Sequence, residues 1–450
     1  MPDTFTNWAG NVTFGTAKPH RPTSVQQLQD IVARSRFVRA LGTGHSFNRI
    51  ADVHAGADVH PGSSASAGTG RGADPQRGGL VSVAGLPKVV EVDRDAATAT
   101  VSAGLRYGEV GARLHAAGFA LRNLGSLPHI SVAGACATGT HGSGESNGSL
   151  ASAVRGIEIV TADGELVRWD RDADSDVFPG AVVALGCLGV ATQLTLDIVP
   201  AYDVRQYVYD DMPYRQLLGN LDEVLGAAYS VSLFTDWRGD DVNQVWLKHR
   251  VESTGTPPAE THWLGATLAD GPRHPLRGMP AENCTQQLGV PGPWHERLPH
   301  FRLEFVPSNG DELQSEYLLP REYARAAFEA VHAIAGLIAP VLLISEIRTV
   351  AADNLWLSTA YGHATIAFHF TWANDEAAVF PVLAAIEEQL APFRARPHWG
   401  KLFSTEPSTV RELYDHAADF EKISQRLDPQ GKFRNAFANR YFPNRYFPRP

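Results

Sequence analysis

Lysine is scarce in this 450-residue chain: Lys18, Lys88, Lys248, Lys401, Lys422 and Lys432 are all there are, and arginine carries the rest of the positive charge. The formal net charge is -10 and the basic residues are scattered. No positive stripe is therefore available to neutralise a phosphate backbone or an anionic bilayer, which excludes nucleic acid and membrane as expected partners. Cysteine is sparser still. Cys136, Cys187 and Cys284 are odd in number and far apart, a pattern of reduced thiols in the cytoplasm rather than of a disulfide frame or zinc knuckle. The opening MPDTFTNWAGNVTF lacks a basic patch followed by an apolar core, so no secretion signal is expected. Long hydrophobic runs are missing too. The most apolar window, residues 179–199, is interrupted by Gly186, Gly189, Thr192, Gln193, Thr195 and Asp197 and reads as buried strands.

Several catalytic signatures are also missing. Gly42-Thr43-Gly44 follows an apolar run at residues 37–41, but a dinucleotide fingerprint needs glycine where Phe47 stands, and a Walker loop needs Gly-Lys-Ser/Thr. Gly144-Glu145-Ser146-Asn147-Gly148 has the GxSxG form, yet CATGTHGS leads into it instead of the hydrophobic strand a nucleophile elbow requires. His295-Glu296 with His300 misses the HExxH spacing by one residue, and Pro299 would break the helix that aligns such ligands. No metal site is expected.

What is present divides in two. Up to about residue 200, helical spacing at residues 24–33 feeds a strand at 37–41, and short strands at 80–83, 89–92 and 99–102 precede a helix carrying Val110 and Leu114. A second small-residue loop, SVAGACATGTHGSG, precedes strands at 157–161 and 165–169 joined by the Asp163-Gly164 turn. Residues 55–79, rich in Gly, Ala and Ser, read as a mobile insertion. Beyond residue 200 aromatics increase. A helix is expected at 321–338 behind Pro320, with Val331, Ile334 and Ile338 on one face, then strands at 341–350 and 366–372. The repeated NRYFP near the C-terminus reads as a surface tail.

Strand alternation puts Glu346 and Arg348 on one face of the first of these strands, and His369 and Thr371 on one face of the next. If the strands adjoin, one wall presents a carboxylate, a guanidinium, an imidazole and a hydroxyl. Taken alone, a solvated face with a surface salt bridge is the better reading. The same alternation at His300, Arg302 and Glu304 shows how weak the signal is. Lys401, in RPHWGKLF, is more distinctive. Its apolar neighbours would partly desolvate a point-like ammonium and lower its pKa, which suits contact with a reacting hydroxyl.

The segments NWAGNVTF, RPTSVQQL, LGTGHSFN, SLPHISVAGACATGTHGSG, SVSLFTDWR, VPGPWHERLPHFRLEF, EIRTVAAD, RPHWGK and DPQGKFRNAF occur in order from Asn7 to about Phe437. Together they resemble the bacterial alditol oxidases of the vanillyl-alcohol oxidase flavoprotein family. The resemblance implies an α+β, two-domain PCMH-type fold. Its parts would be an FAD-binding domain over residues 1–200, a substrate domain over 201–400, and a C-terminal segment, 401–450, returning to the first domain. It implies FAD covalently attached through His45, within a cradle of Leu41, Gly42, Thr43, Gly44, Ser46 and Phe47. Ser126, Ser131, Gly134, Thr138, Gly139, His141, Gly142, Gly144 and Val190 would complete that cradle. Arg348, Lys401 and His369 become the expected catalytic residues, and Ser126, Glu346 and Thr371 complete the expected polyol site. Gly125 stands where related sequences more often carry alanine.

The reaction this implies is oxidation of a terminal primary alcohol of a linear alditol such as xylitol or sorbitol to the aldose, with O₂ reduced to hydrogen peroxide, by a monomer. A sugar-lactone oxidase or dehydrogenase of the same fold is the alternative.

Overall fold

The computed structural model describes residues 5–16, 18–53, 78–251, 260–305 and 311–443. Helix α1 (Val25–Arg34) starts where Ser24 accepts a hydrogen bond from the Gln27 amide at 3.2 Å, and it buries Leu28 and Val32. It delivers the chain to β1 (Phe37–Ala40), which pairs in parallel with β2 (Gly78–Val81). Gly78 and Gly79 are thus strand residues and not the end of an insertion, and the rest of that expected insertion lies outside the described residues.

Five antiparallel strands form the first large sheet: β3 (Val90–Asp93), β4 (Thr98–Ser102), β5 (Val154–Val160), β6 (Leu166–Asp170) and β7 (Val190–Asp197), in the order β3-β4-β7-β5-β6. The β5–β6 hairpin turns at Gly164, whose φ of +87° is a left-handed angle that glycine adopts without strain. Helix α2 (Tyr107–Ala116) buries Val110 and Leu114 as expected. The segment read as a second glycine loop contains a short helix, α3 (Val132–Ala137). Burial of Val132, Ala135 and Cys136 outweighs the poor intrinsic preference of its glycine.

Among the described residues the second sheet has ten strands. Its central order is β8 (Asp203–Pro213), β10 (Asp241–Arg250), β9 (Ser230–Thr235), β12 (Leu342–Val350), β13 (Thr365–Ala373) and β11 (Glu312–Pro320), all antiparallel. One face of β13 carries Phe368, Phe370 and Trp372 and packs into the apolar core with helices α4 (Ala324–Ala333) and α6 (Glu376–Leu390). Phe328 of α4 meets Phe368 edge-on at 5.0 Å. The helix expected over 321–338 is interrupted: α4 ends at Ala333, Ile334 leaves helical geometry, and a single turn, α5 (Ala335–Ile338), follows. This break keeps Ile338 buried while Leu337 stays 57% exposed.

After Gly400 the chain runs back to the first segment. Val38 N–H donates to Lys432 O at 2.9 Å, and Lys432 Nζ donates to Val32 O at 2.7 Å. Asn435 Nδ2 donates to Arg49 O, Ile50 O and Asp52 O at 2.8–3.1 Å. The surface-tail reading fails for the first NRYFP copy. It lies in and just after α8 (Ala436–Tyr441), which follows α7 (Ala417–Leu427), and Tyr441 and Phe442 are buried against Trp399. The second copy lies outside the described residues.

Candidate active site

Residues opposed on neighbouring strands project to the same face. Phe234, Glu346, His369 and Glu316 are opposed in turn across β9, β12, β13 and β11, so they form one row. Ile344, Thr371 and Gln314 form the next row. Arg348, two residues beyond Glu346, shares this face. All of these line the cavity, of roughly 350 Å³, that the wall bounds, whereas Ala367, opposite Arg348, does not.

The far wall of that cavity is the segment from Leu41 to Phe47. Three hydrogen bonds to two other parts of the chain brace it and the residue after it. Asn7 Nδ2 donates to Ser46 O at 2.9 Å, Phe47 N–H donates to Gly400 O at 2.8 Å, and Asn48 Nδ2 donates to Lys401 O at 2.7 Å. The loop holding His45 is thereby bonded directly to the turn holding Lys401. Gly42 and Gly134 approach Ser131 so closely that a Cβ on either would collide with its hydroxyl. His45 stacks on Trp8 with centroids 5.2 Å apart, and its Nδ1 lies 2.9 Å from Thr43 Oγ1. Burial, then the neighbouring His129, pushes the imidazole down to about 4 against the Thr43 contact, leaving it neutral near pH 7.

Glu316 organises the charged wall. It is 1% exposed and accepts from Arg348 Nη2 at 2.6 Å and Lys401 Nζ at 2.7 Å, with His141 Nε2 at 3.2 Å. Burial alone would raise its carboxyl; Lys401, His141 and Arg348 together hold it well below the ordinary range. Burial lowers the Lys401 ammonium, as its apolar setting led us to expect, although Glu316 resists the shift. Arg348 also donates to Ser126 Oγ at 3.3 Å. Glu346 lies 2.7 Å from His300 Nε2, and its own burial is outweighed by Arg348, His300 and His369, so it stays ionised. His369 Nε2 lies 3.2 Å from Gln314 Oε1, and its Nδ1 has no hydrogen-bond partner. Burial and then Lys401 hold His369 neutral.

The cavity is lined by Leu41, Gly42, Thr43, Gly44, His45, Ser46, Phe47, Ser126, Ser131, Gly134, Thr138, His141 and Val190, and by Glu346, Arg348, His369, Thr371 and Lys401. Gly139, Gly142 and Gly144, which the resemblance placed in the cofactor cradle, do not line it. Gly142 is packed against Leu124 O and Asn123. Gly144 N–H donates to Thr349 O at 3.0 Å, which fastens this loop to the end of β12. Sequence reasoning missed Glu316, Gln314, His300 and His398. The first two were legible as the alternation Glu312, Gln314, Glu316 along β11, once β11 is known to adjoin β13.

The group such a cradle accommodates is long, and small residues let it approach the backbone closely, while the charged wall lies at one end; these features fit FAD. Comparison with known proteins agrees. A family model described as an FAD binding domain matches residues 54–170, and one described as D-arabinono-1,4-lactone oxidase matches residues 311–441. The solved cholesterol oxidase from B. sterolicum shares the fold, with a TM-score of 0.75 at 14% identity over 98% of this chain and 97% of that one. These findings define a PCMH-type, FAD-binding oxidoreductase. Alditol oxidase from Streptomyces sp. (strain IKD472 / FERM P-14339) is 49% identical over 97% of this chain and 98% of its own. L-gulono-1,4-lactone dehydrogenase from Mycobacterium tuberculosis (strain ATCC 25618 / H37Rv) is 27% identical over 98% and 99%. The chain belongs to the alditol oxidase family of flavoprotein oxidases, and it is an enzyme of flavin-dependent alcohol oxidation.

Proposed function

We propose that the enzyme oxidises the terminal primary alcohol of linear alditols such as xylitol or sorbitol to the aldose, with O₂ as electron acceptor. The observation that carries this reading is the single cavity bounded by the His45 loop on one side and by Ser126, Glu346, Arg348, His369, Thr371 and Lys401 on the other. When bound, FAD supplies a two-electron acceptor for the hydride and passes the electrons to O₂, which leaves as hydrogen peroxide. Leu41 to Phe47, with Ser131, Gly134, Thr138, His141 and Val190, hold the cofactor. His45 would join it covalently, a neutral imidazole nitrogen taking the place of one hydrogen of the flavin 8-methyl group. That replacement would be a two-electron oxidation: the imidazole N–H and one methyl hydrogen leave as protons, and O₂ takes both protons and the two electrons as hydrogen peroxide.

Lys401 keeps N–H groups for the C1 oxygen beyond the one given to Glu316, and it stabilises the negative charge that develops there. Arg348 fixes Ser126 and Glu316 around that oxygen. The unpartnered Nδ1 of His369 accepts the hydroxyl proton. Ser126, Glu346 and Thr371 receive the remaining hydroxyls, and orienting them sets C1 for hydride departure.

Anaerobic xylitol should bleach the flavin absorbance of the purified protein. Acid-precipitated protein should stay yellow, and His45→Ala should lose that colour. Flavin that washes out of denatured wild type would disprove the linkage. The family model described by a lactone oxidase, and the lactone dehydrogenase relative, favour a second reading, oxidation of a sugar lactone. A panel of alditols against aldonolactones separates the two.

A further inference from the structure

Lys248, on β10, faces the same side of the sheet as the charged wall, is 1% exposed, and does not line the cavity. Its Nζ lies 2.5 Å from Leu298 O, 3.2 Å from Pro299 O and 3.0 Å from His300 Nδ1. An ammonium has three N–H donors, and these three acceptors use them all. With Nδ1 accepting from lysine, a neutral His300 carries its hydrogen on Nε2, which faces Glu346 Oε1 at 2.7 Å. The other side of that ring interaction is closed: Arg348 Nε is also nearest Oε1, at 3.5 Å. Oε2 of Glu346 is left toward the cavity, with His369 Nδ1 at 3.9 Å.

The reverse arrangement is incompatible with an ionised Glu346. An uncharged Lys248 has two N–H groups for these three acceptors and a lone pair that can take a hydrogen bond from His300 Nδ1–H, so it no longer fixes the tautomer. In the Nδ1–H tautomer the Nε2 lone pair would face a carboxylate oxygen at hydrogen-bond distance, and Glu346 would have to carry the proton between them. A buried ammonium outside the cavity therefore decides what a wall carboxylate can do inside it.

We propose that Lys248 is a positioning residue for the alcohol site: acting through the His300 tautomer, it keeps Glu346 an ionised acceptor whose Oε2 receives a substrate hydroxyl. This rests on the reading that Glu346 binds a substrate hydroxyl. The charged and titratable groups facing Lys248 are His300, Glu346, Arg348 and Cys284. Burial pushes Lys248 down to about 7 against the pull of Glu346, whereas His300 lies near 4 and Cys284 near 12, so both are neutral around pH 7. Below pH 7 the lysine is charged and the arrangement holds; above it the charge is lost and alditol affinity declines.

The test is anaerobic stopped-flow reduction of the holoenzyme by xylitol, which separates the dissociation constant from the limiting rate. Lys248→Met should weaken xylitol binding roughly tenfold or more, as expected for a hydrogen bond to a charged group, and change the limiting rate far less. His300→Gln keeps an N–H donor toward Glu346 without help from lysine, so adding Lys248→Met to it should cost little further affinity. Independent, multiplying effects of the two substitutions would overturn the proposal. The wild-type protein provides a measure that needs no variant: its xylitol dissociation constant should rise with a step near pH 7, and a profile without that step also overturns it. A wild type that xylitol does not bleach would overturn the substrate reading instead.

Discussion

Arg348 and Lys401 share one buried counter-charge, and this makes their removal informative. Replacing either by alanine should slow anaerobic flavin reduction roughly a hundredfold, the scale of losing one preorganised charge at a reacting oxygen, with flavin content unchanged. Rates equal to wild type would reduce both to structural ion pairs of Glu316. Gly125 makes a second residue-scale case. It lines the cavity, its φ is not in the left-handed region, and an added Cβ would meet His141 O and Ile130 Cδ1 at an ordinary 3.6 Å. A backbone requirement for glycine is thus not the reason for its presence. Gly125→Val should fold and load flavin, yet lower the rate of reoxidation by O₂ more than the rate of reduction by xylitol, because rigid methyl groups fill the space beside Ser126. Stopped-flow measurement of both half-reactions decides it; equal losses would remove the oxygen-access role. At this scale the sequence was legible where a residue was unusual for the chain. Lys401 stood out because lysine is rare, and four wall residues stood out by strand alternation. Glu316 shows the same alternation, but its meaning depends on which strands adjoin, and that is set by pairing across long stretches of chain; His300 lies on no strand and meets Glu346 from a bend.

Among the elements, the strands at the site were legible because each is a period-2 pattern buried on both sides. The misread segments were those where packing overrides local preference. Helix α3 forms in a run of small residues because three of its side chains are buried, and α8 forms in a motif that reads as a tail because Tyr441 and Phe442 complete a core around Trp399. Asn435 tests the importance of that return. Its Oδ1 accepts from Ala438 N–H at the start of α8, while its Nδ2 serves three carbonyls of the segment after the His45 loop. Asn435→Ala leaves those buried carbonyls short of a donor and the helix uncapped. It should cost about 2–4 kcal/mol and lower flavin occupancy together with the melting temperature. An unchanged melting temperature would show that α8 holds by its aromatic contacts alone.

Over the whole molecule, a cavity built from buried imidazoles makes the protein sensitive to acid. Burial, followed by a nearby lysine, holds His300 near 4 and His398 near 3, below the ordinary value of about 6.5. As pH falls the unfolded chain binds these protons first, so the stability present above pH 6.5 is lost progressively toward the folded values. Glu316 and Glu346, both held low, lose their share at still lower pH. The melting temperature should therefore fall steadily from pH 6.5 to 4, and His300→Gln should flatten part of that slope; a parallel curve for the variant would remove His300 from the account.

The stitching of Asn435 to Ile50 spans 385 positions of sequence. A ribosome that has already made the cofactor loop must add almost the entire remaining chain before those hydrogen bonds can close. The bracing of the cofactor loop is consequently completed only near the end of synthesis. A chain that stops short of residue 435 lacks this bracing and should hold FAD less firmly than the finished enzyme, a difference that flavin content of purified truncated and full chains would measure.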